Sequence, residues 1–205
     1  MGARSEDAEL LAAWAEGDGD AGSELIERHF AAVHRFFSNK VDRDLDDLVQ
    51  QTFLACLEAR ARFEQRSSFP VFLLGIARHL LYDFYRKRRR EPLEFSAASV
   101  RDFGTSPSQQ VARREEETLL NEALRRIPLE SQVILELTYW EGFSGAELAS
   151  VMDAPLGTIY SRLHRARESV LEQLVALMPE RAIDIEGLFQ AARSPGTLSA
   201  KRSRQ

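Results

Sequence analysis

The side chains with the clearest chemistry lie in the segment Pro155–Arg167, whose sequence is PLGTIYSRLHRAR. At the helical spacing of about 100° per residue, Ser161, His164 and Arg165 fall on one side of a helix. Apolar residues recur on the opposite side, at Ile159, Leu163, Ala166 and Val170. Because arginine pairs with guanine through two hydrogen bonds and hydroxyl groups hold phosphates, the polar side suits DNA. The alternative is an amphipathic surface helix with solvated charges.

The preceding segment, Phe143–Ala154, must position that helix. Ser144 and Glu147 have the spacing of a capping box, which predicts that a short helix begins at Ser144. Its apolar stripe consists of Leu148, Val151 and Met152. After a two-residue break, Pro155 suits the first turn of the second helix, where its missing N–H costs nothing. The two segments together predict a helix-turn-helix, which places its second helix in the major groove of DNA.

A second group of side chains suited to nucleic acid lies in the first half of the chain. The loop from Phe63 to Phe69 is polar, with an aromatic residue at each end. The helix after it mixes cations and rings, at Arg78, His79, Tyr82, Tyr85 and Arg86. This mixture suits single-stranded nucleic acid, because bases stack on rings while cations follow phosphates. Alternatively the rings are core: we favour this for Phe72 and Phe84, and both interpretations stay open for Phe63, Tyr82 and Tyr85.

The segment Arg43–Glu58, RDLDDLVQQTFLACLE, predicts a helix with two unlike faces. One face carries Leu45, Val49, Thr52 and Cys56. The other carries Asp47, Gln50, Gln51 and Glu58, with Leu54 among them. A polar face interrupted by one exposed leucine is either an interface or merely solvated, and the pattern alone favours solvation.

Composition limits the class of protein. No apolar run in the 205 residues approaches membrane-spanning length, and MGARSEDAEL at the start has no apolar signal core. The single cysteine, Cys56, excludes an internal disulfide and fits a reducing cytoplasm, where we expect it to be a small buried hydrophobe. The net charge is −5, although Arg86–Arg90 reads RKRRR. An acidic chain should bind bare DNA weakly, which predicts a second protein that holds it there.

Nearly every periodic segment is helical, so we expect an all-α chain of two small helical domains joined by a flexible linker. The predicted helices of the first half are Leu10–Glu16, Leu25–Phe37, Leu45–Arg62 and Phe69–Arg90, the last with Phe72, Leu73, Ile76, Leu80 and Phe84 facing the core. The Ser-, Gly- and Pro-containing stretch Pro92–Gln110 indicates the linker. Helices resume near Glu115 and continue to Met178, with a turn near Pro128. The expected boundaries are 1–91, 92–115 for the linker, 116–178, and a tail at 179–205.

Together these segments resemble the extracytoplasmic-function sigma factors, a compact group of bacterial transcription initiation factors. DLDDLVQQTFL at Asp44–Leu54 is similar to their region 2 core, and Ser68–Arg90 is similar to their promoter-melting helix. Ile127–Leu174, which contains the helix-turn-helix, is similar to their region 4. The resemblance covers roughly residues 8–90 and 117–176. It implies a protein of the cytoplasm that binds core RNA polymerase, directs it to promoters and helps to melt DNA.

The resemblance also implies roles by position. The residues that face the polymerase β′ clamp helices are Asp47, Gln50 and Gln51, and region 4 as a whole meets the β flap. The residues that line a pocket for a base flipped from the −10 element are Phe63, Ser67 and His79. The residues that lie along nearby DNA are Arg78, Tyr82 and Arg86. The residues that read the −35 element are Tyr160, Ser161, His164 and Arg165. The residues that contact DNA phosphates are Thr158, Arg162 and Arg167. The linker passes through the RNA path of the polymerase.

The chain departs from the family pattern at several of these positions. Phe72 stands where Trp is frequent, His79 where Asn is frequent, and Gln51 where Glu is frequent. Tyr160 stands where Arg is common, so no relative's promoter sequence transfers to this chain. In the tail, a small docking helix and disorder are both open. The helix would use Ile183, Ile185, Leu188 and Phe189, while Lys201 and Arg202 could touch nucleic acid.

Two other classes of protein share single features with this chain. A response regulator also has a helix-turn-helix, but its receiver domain needs strands, and the first half shows no strand pattern. An enzyme needs a site, but His29 and His34 are spaced awkwardly for one helix face and lack metal-ligand partners nearby. No glycine-rich phosphate loop or nucleophile–base arrangement is visible. We therefore expect no catalytic residue, metal or cofactor.

Members of this family are commonly held inactive by an anti-sigma factor, so the resemblance implies control of this chain too. The controller is an anti-sigma factor, the tail of the chain itself, or the supply of the protein. The sequence favours none of the three.

Overall fold

The computed structural model describes residues 2–59, 63, 67–88, 118–179, 184–185 and 187–189, with side chains from Glu6 onward. Within these ranges every regular element is a helix, as predicted for an all-α chain. None of the described helices is long and apolar enough to cross a membrane. The chain divides into two compact units. The first comprises Met1–Ser99 with Ala149–Ala154, and the second comprises Val100–Leu148 with Pro155–Gln205.

The first unit is built on four helices. These are α1 (Gly2–Ala15), α2 (Gly19–Ser38), α3 (Leu45–Glu58) and α4 (Phe69–Arg88). The second helix, α2, packs against the other three, and α3 packs along α4. Close approach of α1 to α2 requires Gly22, because a Cβ there would lie 2.5 Å from Trp14 Cδ1. The Asp18 carboxylate caps α2 by accepting from the backbone N–H groups of Asp20 and Ala21 at 3.0 and 3.1 Å.

The buried face of α4 differs from the one that its sequence predicts. Only Leu73 of the predicted inward residues is buried, while Phe72, Ile76, Leu80 and Phe84 are partly exposed. The buried residues are Phe69, Val71, Leu73, Leu74, Ala77 and Leu81. Apolar side chains occur on nearly every side of α4, so its periodicity fits two phases. Packing selects the phase in which the small Ala77 is 0% exposed.

The second unit contains α5, described over 118–125, α6 (Leu129–Tyr139), the start of α7 (Gly145–Met152) and α8 (Leu156–Leu177). The predicted turn at Pro128 is confirmed, since Pro128 directly precedes α6. The two apolar helices α6 and α8 pack together. Several predictions concern residues outside the described ranges: the linker Pro92–Gln110, the end of α3 at 60–62, Arg89, Arg90, Ile183 and the basic pair near 201.

Part of the tail docks on the second unit. Phe189 is fully buried, with its ring stacked on Tyr139 at 4.1 Å between centroids and edge-on to Trp140 at 5.3 Å. Ile185 and Leu188 are only half-buried, so Phe189 is the main anchor among the described tail residues. Of the two alternatives for the tail, the docking segment therefore holds for the described residues 184–185 and 187–189.

Candidate nucleic-acid interface

The predicted signals are present at both ends of α7, with a capping box at its start and a turn into α8 at its end. Ser144 donates to Glu147 Oε2 from its backbone N–H and its hydroxyl at 2.9 and 2.8 Å, and the Glu147 N–H donates to Ser144 Oγ at 3.3 Å. This confirms the capping box. Asp153 ends α7 in the left-handed region at φ 50°. Pro155 lies one residue before α8, where its carbonyl accepts from the Ile159 N–H at 3.1 Å.

The two faces of α8 divide as predicted. Its inward stripe is buried at Ile159, Leu163, Ala166, Val170 and Leu174. Its outward face exposes Tyr160, Ser161, His164 and Arg165, with Tyr160 59% exposed. Contacts along this face are local: Ser161 Oγ donates to the Thr158 carbonyl at 2.9 Å, and Arg165 Nε donates to the Ser161 carbonyl at 3.3 Å. The face therefore carries donors on a rigid, well-packed helix.

The residues expected on phosphates lie at the flanks of α8. Arg162 pairs with the carboxylate of Glu130 at the start of α6. The Arg167 guanidinium lies 5.4 Å from the centroid of the Tyr139 ring, in cation–π geometry. Thr158 is half-buried. Arg162 and Arg167 thus help to join α8 to α6, and their contact with phosphates stays a prediction.

In the first unit, Phe63 is part of an aromatic cluster. Its ring lies 5.9 Å from that of Phe69 and 5.1 Å from that of Phe72, and Phe69 in turn contacts the His29 ring at 5.1 Å. Phe63 is itself only half-buried. The cluster therefore anchors one end of the loop while part of the Phe63 ring stays accessible.

The C-terminal half of α4 presents cations beside a ring. The Arg78 guanidinium lies 4.9 Å from the Tyr82 ring centroid, and both residues are half-buried. His79 and Arg86 are exposed, and Ser67 before the helix is half-buried. Tyr85 is different, because its hydroxyl donates to the Lys40 carbonyl and burial raises its pKa. For Tyr85 the structural interpretation therefore holds.

The polar face of α3 is solvent-exposed as predicted. Asp47, Gln50 and Gln51 are exposed, and Gln51 Nε2 donates to Asp47 Oδ2 at 2.6 Å. On the opposite face, burial raises the pKa of Cys56 to about 12, which keeps the thiol neutral and inert. This agrees with the prediction of a small buried hydrophobe.

Sequence reasoning missed a groove beside Gln50. Its volume is about 450 Å³, and it is lined by Trp14, Ile26, Phe30, Asp46, Val49, Gln50, Phe53 and Leu54. Phe30 and Leu54 are 45% and 51% exposed, which is unusual for large apolar side chains. Leu54 was visible as an apolar residue on a polar face, whereas Phe30 gave no such signal, because the apolar run Ala31–Val33 follows it directly. The groove makes an interface the better interpretation of this face.

Comparison with protein families covers both halves of the chain. Residues 25–91 match the model of sigma-70 region 2, and residues 117–170 match that of sigma-70, region 4. The two matches together span more than half of the chain. This chain belongs to the sigma-70 family, and its relatives place it among the extracytoplasmic-function sigma factors. It therefore acts in promoter-directed initiation of transcription, as the resemblance implied.

Relatives support the same family. This sigma factor is 34% identical over 159 residues to the ECF RNA polymerase sigma factor SigC of Mycobacterium tuberculosis, covering 77% of this chain and 85% of the relative. It is 35% identical over 133 residues to the sigma factor EcfG of Rhodopseudomonas palustris, covering 65% and 72%. The likeness therefore extends over most of each protein.

Solved structures share the fold of this sigma factor. CnrH, solved in complex with the cytosolic domain of CnrY, has a TM-score of 0.62 at 26% identity, covering 83% of this chain and 98% of that one. The sigma factor RpoE of Bartonella quintana, solved with the anti-sigma factor NepR, has a TM-score of 0.59 at 24% identity, covering 74% and 95%. The second likeness concerns the fold alone.

Proposed function

We propose that this sigma factor contacts promoter DNA at two separate surfaces and relies on core RNA polymerase to set the distance between them. The observation that carries the proposal is the exposed row on α8, which lies opposite a buried stripe and follows the capped helix α7. A rigid helix that presents donors in one row matches the geometry by which a helix-turn-helix enters the major groove.

At the −35 element, the proposed readers of base edges are Tyr160, Ser161, His164 and Arg165. Arg165 is suited to guanine, whose O6 and N7 accept two hydrogen bonds from a guanidinium. The proposed phosphate contacts are Thr158, Arg162 and Arg167, which lie at the flanks. Arg162 and Arg167 are both held against α6, which supports this role, because phosphate contacts fix the register and orientation of the protein on DNA.

At the −10 element, the proposed pocket for a flipped base comprises Phe63, Ser67 and His79. Extruding a base costs a few kcal/mol of stacking, which contact with the Phe63 ring and hydrogen bonds would offset. Arg78, Tyr82 and Arg86 would follow the melted strand, since cations beside rings suit unpaired nucleotides. All of these steps are non-covalent, so the proposed function requires no catalytic residue, cofactor or metal.

The proposed polymerase contacts of region 2 are Asp47, Gln50 and Gln51, facing the β′ clamp helices, and region 4 would meet the β flap. The groove beside Gln50 supports this, because it offers an apolar recess next to the polar row. The proposed domains are 1–91 and 116–178, with the linker 92–115 in the RNA path and the tail 179–205. The family matches at 25–91 and 117–170 support these limits.

The decisive experiment is run-off transcription with core polymerase and a mapped promoter. Arg165→Ala should lower the promoter-specific product by roughly 5- to 150-fold, which corresponds to about 1–3 kcal/mol for one arginine on a guanine. Arg126→Ala is the matched control and should leave the product unchanged. It removes an exposed cation of the same unit that pairs with Glu122, four residues earlier. Absence of any promoter-dependent product with the unaltered protein would refute the proposal.

We also propose that this sigma factor works in the cytoplasm, where polymerase and chromosome meet, and that an anti-sigma factor controls it. Support comes from CnrH, which shares 26% of its residues with this chain and was solved bound to the cytosolic domain of CnrY. Co-purification of the tagged protein from its native cell should recover a protein encoded beside its gene. Recovery of polymerase subunits alone, in every growth condition tested, would argue for control by the tail or by supply.

A further inference from the structure

Gly145, the first residue of α7, is in contact with the DNA-facing side of α8. A Cβ added at Gly145 would lie 2.9 Å from Tyr160 Oη, 3.2 Å from Tyr160 Cζ and 3.0 Å from Leu156 Cδ1. The backbone at Gly145 does not have a positive φ, unlike that of Gly142 and Gly17. A side chain at residue 145 would therefore require the Tyr160 ring to shift, although glycine weakens a helix relative to alanine.

The Tyr160 ring is consequently fixed at one end. Its hydroxyl lies over the start of α7, while the side chain as a whole is 59% exposed. A tyrosine has only two side-chain torsions, so one contact at the hydroxyl end determines where the whole ring lies. An exposed ring that is held in one position is preorganised for binding, because it loses little conformational freedom when it meets a ligand.

We propose that Gly145 determines −35 specificity by setting the position of Tyr160. The inference rests on the proposed role of Tyr160 in reading the −35 element. With any side chain at residue 145, the Tyr160 ring must move away from the start of α7. A hydrogen bond depends steeply on distance and angle, so a displaced hydroxyl would contact different base edges or none. Gly145 is thus a positioning residue that never has to touch DNA.

The test is the base preference of reconstituted holoenzyme on a promoter library with a randomised −35 element, read by sequencing the transcripts. Gly145→Ala should change the preference by about fivefold or more at the same base positions that Tyr160→Phe and Tyr160→Ala change. In the Gly145→Ala/Tyr160→Ala double variant, the alanine at 145 should add nothing to the effect of Tyr160→Ala, because the ring is gone. This non-additivity separates positioning from a general loss of stability.

Gly19→Ala is the matched control. Gly19 is likewise the first residue of a capped helix, α2, but a Cβ there would meet nothing within 4 Å. Its substitution should leave the base preference unchanged. If Gly145→Ala lowers the thermal midpoint, removing the ring in the double variant should restore it, so the comparison remains informative for a weakened fold.

The outcomes separate the inference from the function beneath it. If Tyr160→Ala changes the preference and Gly145→Ala does not, the inference is wrong while the −35 role of Tyr160 stands. If neither changes it, although the unaltered protein still directs promoter-specific transcription, Tyr160 is no reader and the inference fails with it. If the unaltered protein yields no promoter-specific transcript, the proposed function itself fails.

Discussion

Arg86 and Arg88 belong to one basic run, but their guanidinium groups have different surroundings. Arg88 donates to both carboxylate oxygens of Asp42 at 2.6 and 2.9 Å, and its side chain is only 16% exposed. Arg86 is 68% exposed and pairs with Asp83 one turn earlier. The pair of Arg88 with Asp42 ties the end of α4 to the segment between α2 and α3. We therefore infer that Arg88 stabilises the fold, whereas Arg86 is the arginine of this pair that contacts DNA in the proposed function.

This assignment predicts a pH-dependent difference in stability between two arginine variants. The hydrogen bond from Arg88 lowers the pKa of Asp42 below its ordinary value. An ionised Asp42 therefore favours the fold, and this contribution is present above about pH 4 and is lost as the pH falls through the lowered pKa. In urea unfolding, Arg88→Ala should cost about 1–2 kcal/mol at pH 7, and the cost should shrink below pH 4.

Arg86→Ala is the control for that measurement, because exposed pairs contribute little to stability. Its unfolding free energy should match that of the unaltered protein at every pH, while its promoter opening falls. A cost of Arg88→Ala that stays constant down to pH 3 would contradict the role of the Asp42 carboxylate.

At the scale of elements, local chemistry made the helix-turn-helix predictable from sequence. A capping box is a two-residue signal whose hydrogen bonds form within one turn, and Ser144 and Glu147 form them as expected. The buried face of α4 was not predictable, because its choice between two phases depends on neighbours that are distant in sequence. Docking of Phe189 was likewise undecided, since a lone aromatic in a tail gives no indication of its pocket. The Tyr139 and Trp140 rings supply that pocket only once α6 has folded.

The C-terminal segment yields a prediction of its own. Because Phe189 is fully buried between two rings, Phe189→Ala should lower the unfolding free energy of the second unit by about 3–5 kcal/mol. Leu188→Ala, at a half-buried position on the same segment, should cost clearly less. Chemical denaturation monitored by Trp140 fluorescence, in a background in which Trp14 is replaced by Phe, compares the two. Equal, small losses would mean that the segment is dispensable and that the second unit ends with α8.

The net charge of the chain and its division into two units indicate that its binding to promoter DNA depends on polymerase. With 27 basic and 32 acidic residues, the chain has no overall attraction to DNA. Its proposed DNA contacts lie on two units, and two weak contacts reinforce each other only when their spacing is set close to that of their targets. The fold makes each surface rigid, while the spacing must come from a partner. This is why the α8 face could be located from sequence, whereas the working arrangement of both surfaces could not.

The final prediction concerns affinity with and without core polymerase. At physiological salt the free sigma factor should bind promoter DNA no better than about 10⁻⁶ M, within the range of non-specific binding. Added core enzyme should bring binding to about 10⁻⁸ M or tighter and make it sensitive to the −35 sequence. Fluorescence anisotropy with a labelled promoter measures both states, and a scrambled −35 element is the control. Nanomolar, sequence-dependent binding by the free protein would show that its two surfaces are already correctly spaced, and the net negative charge would then need another explanation.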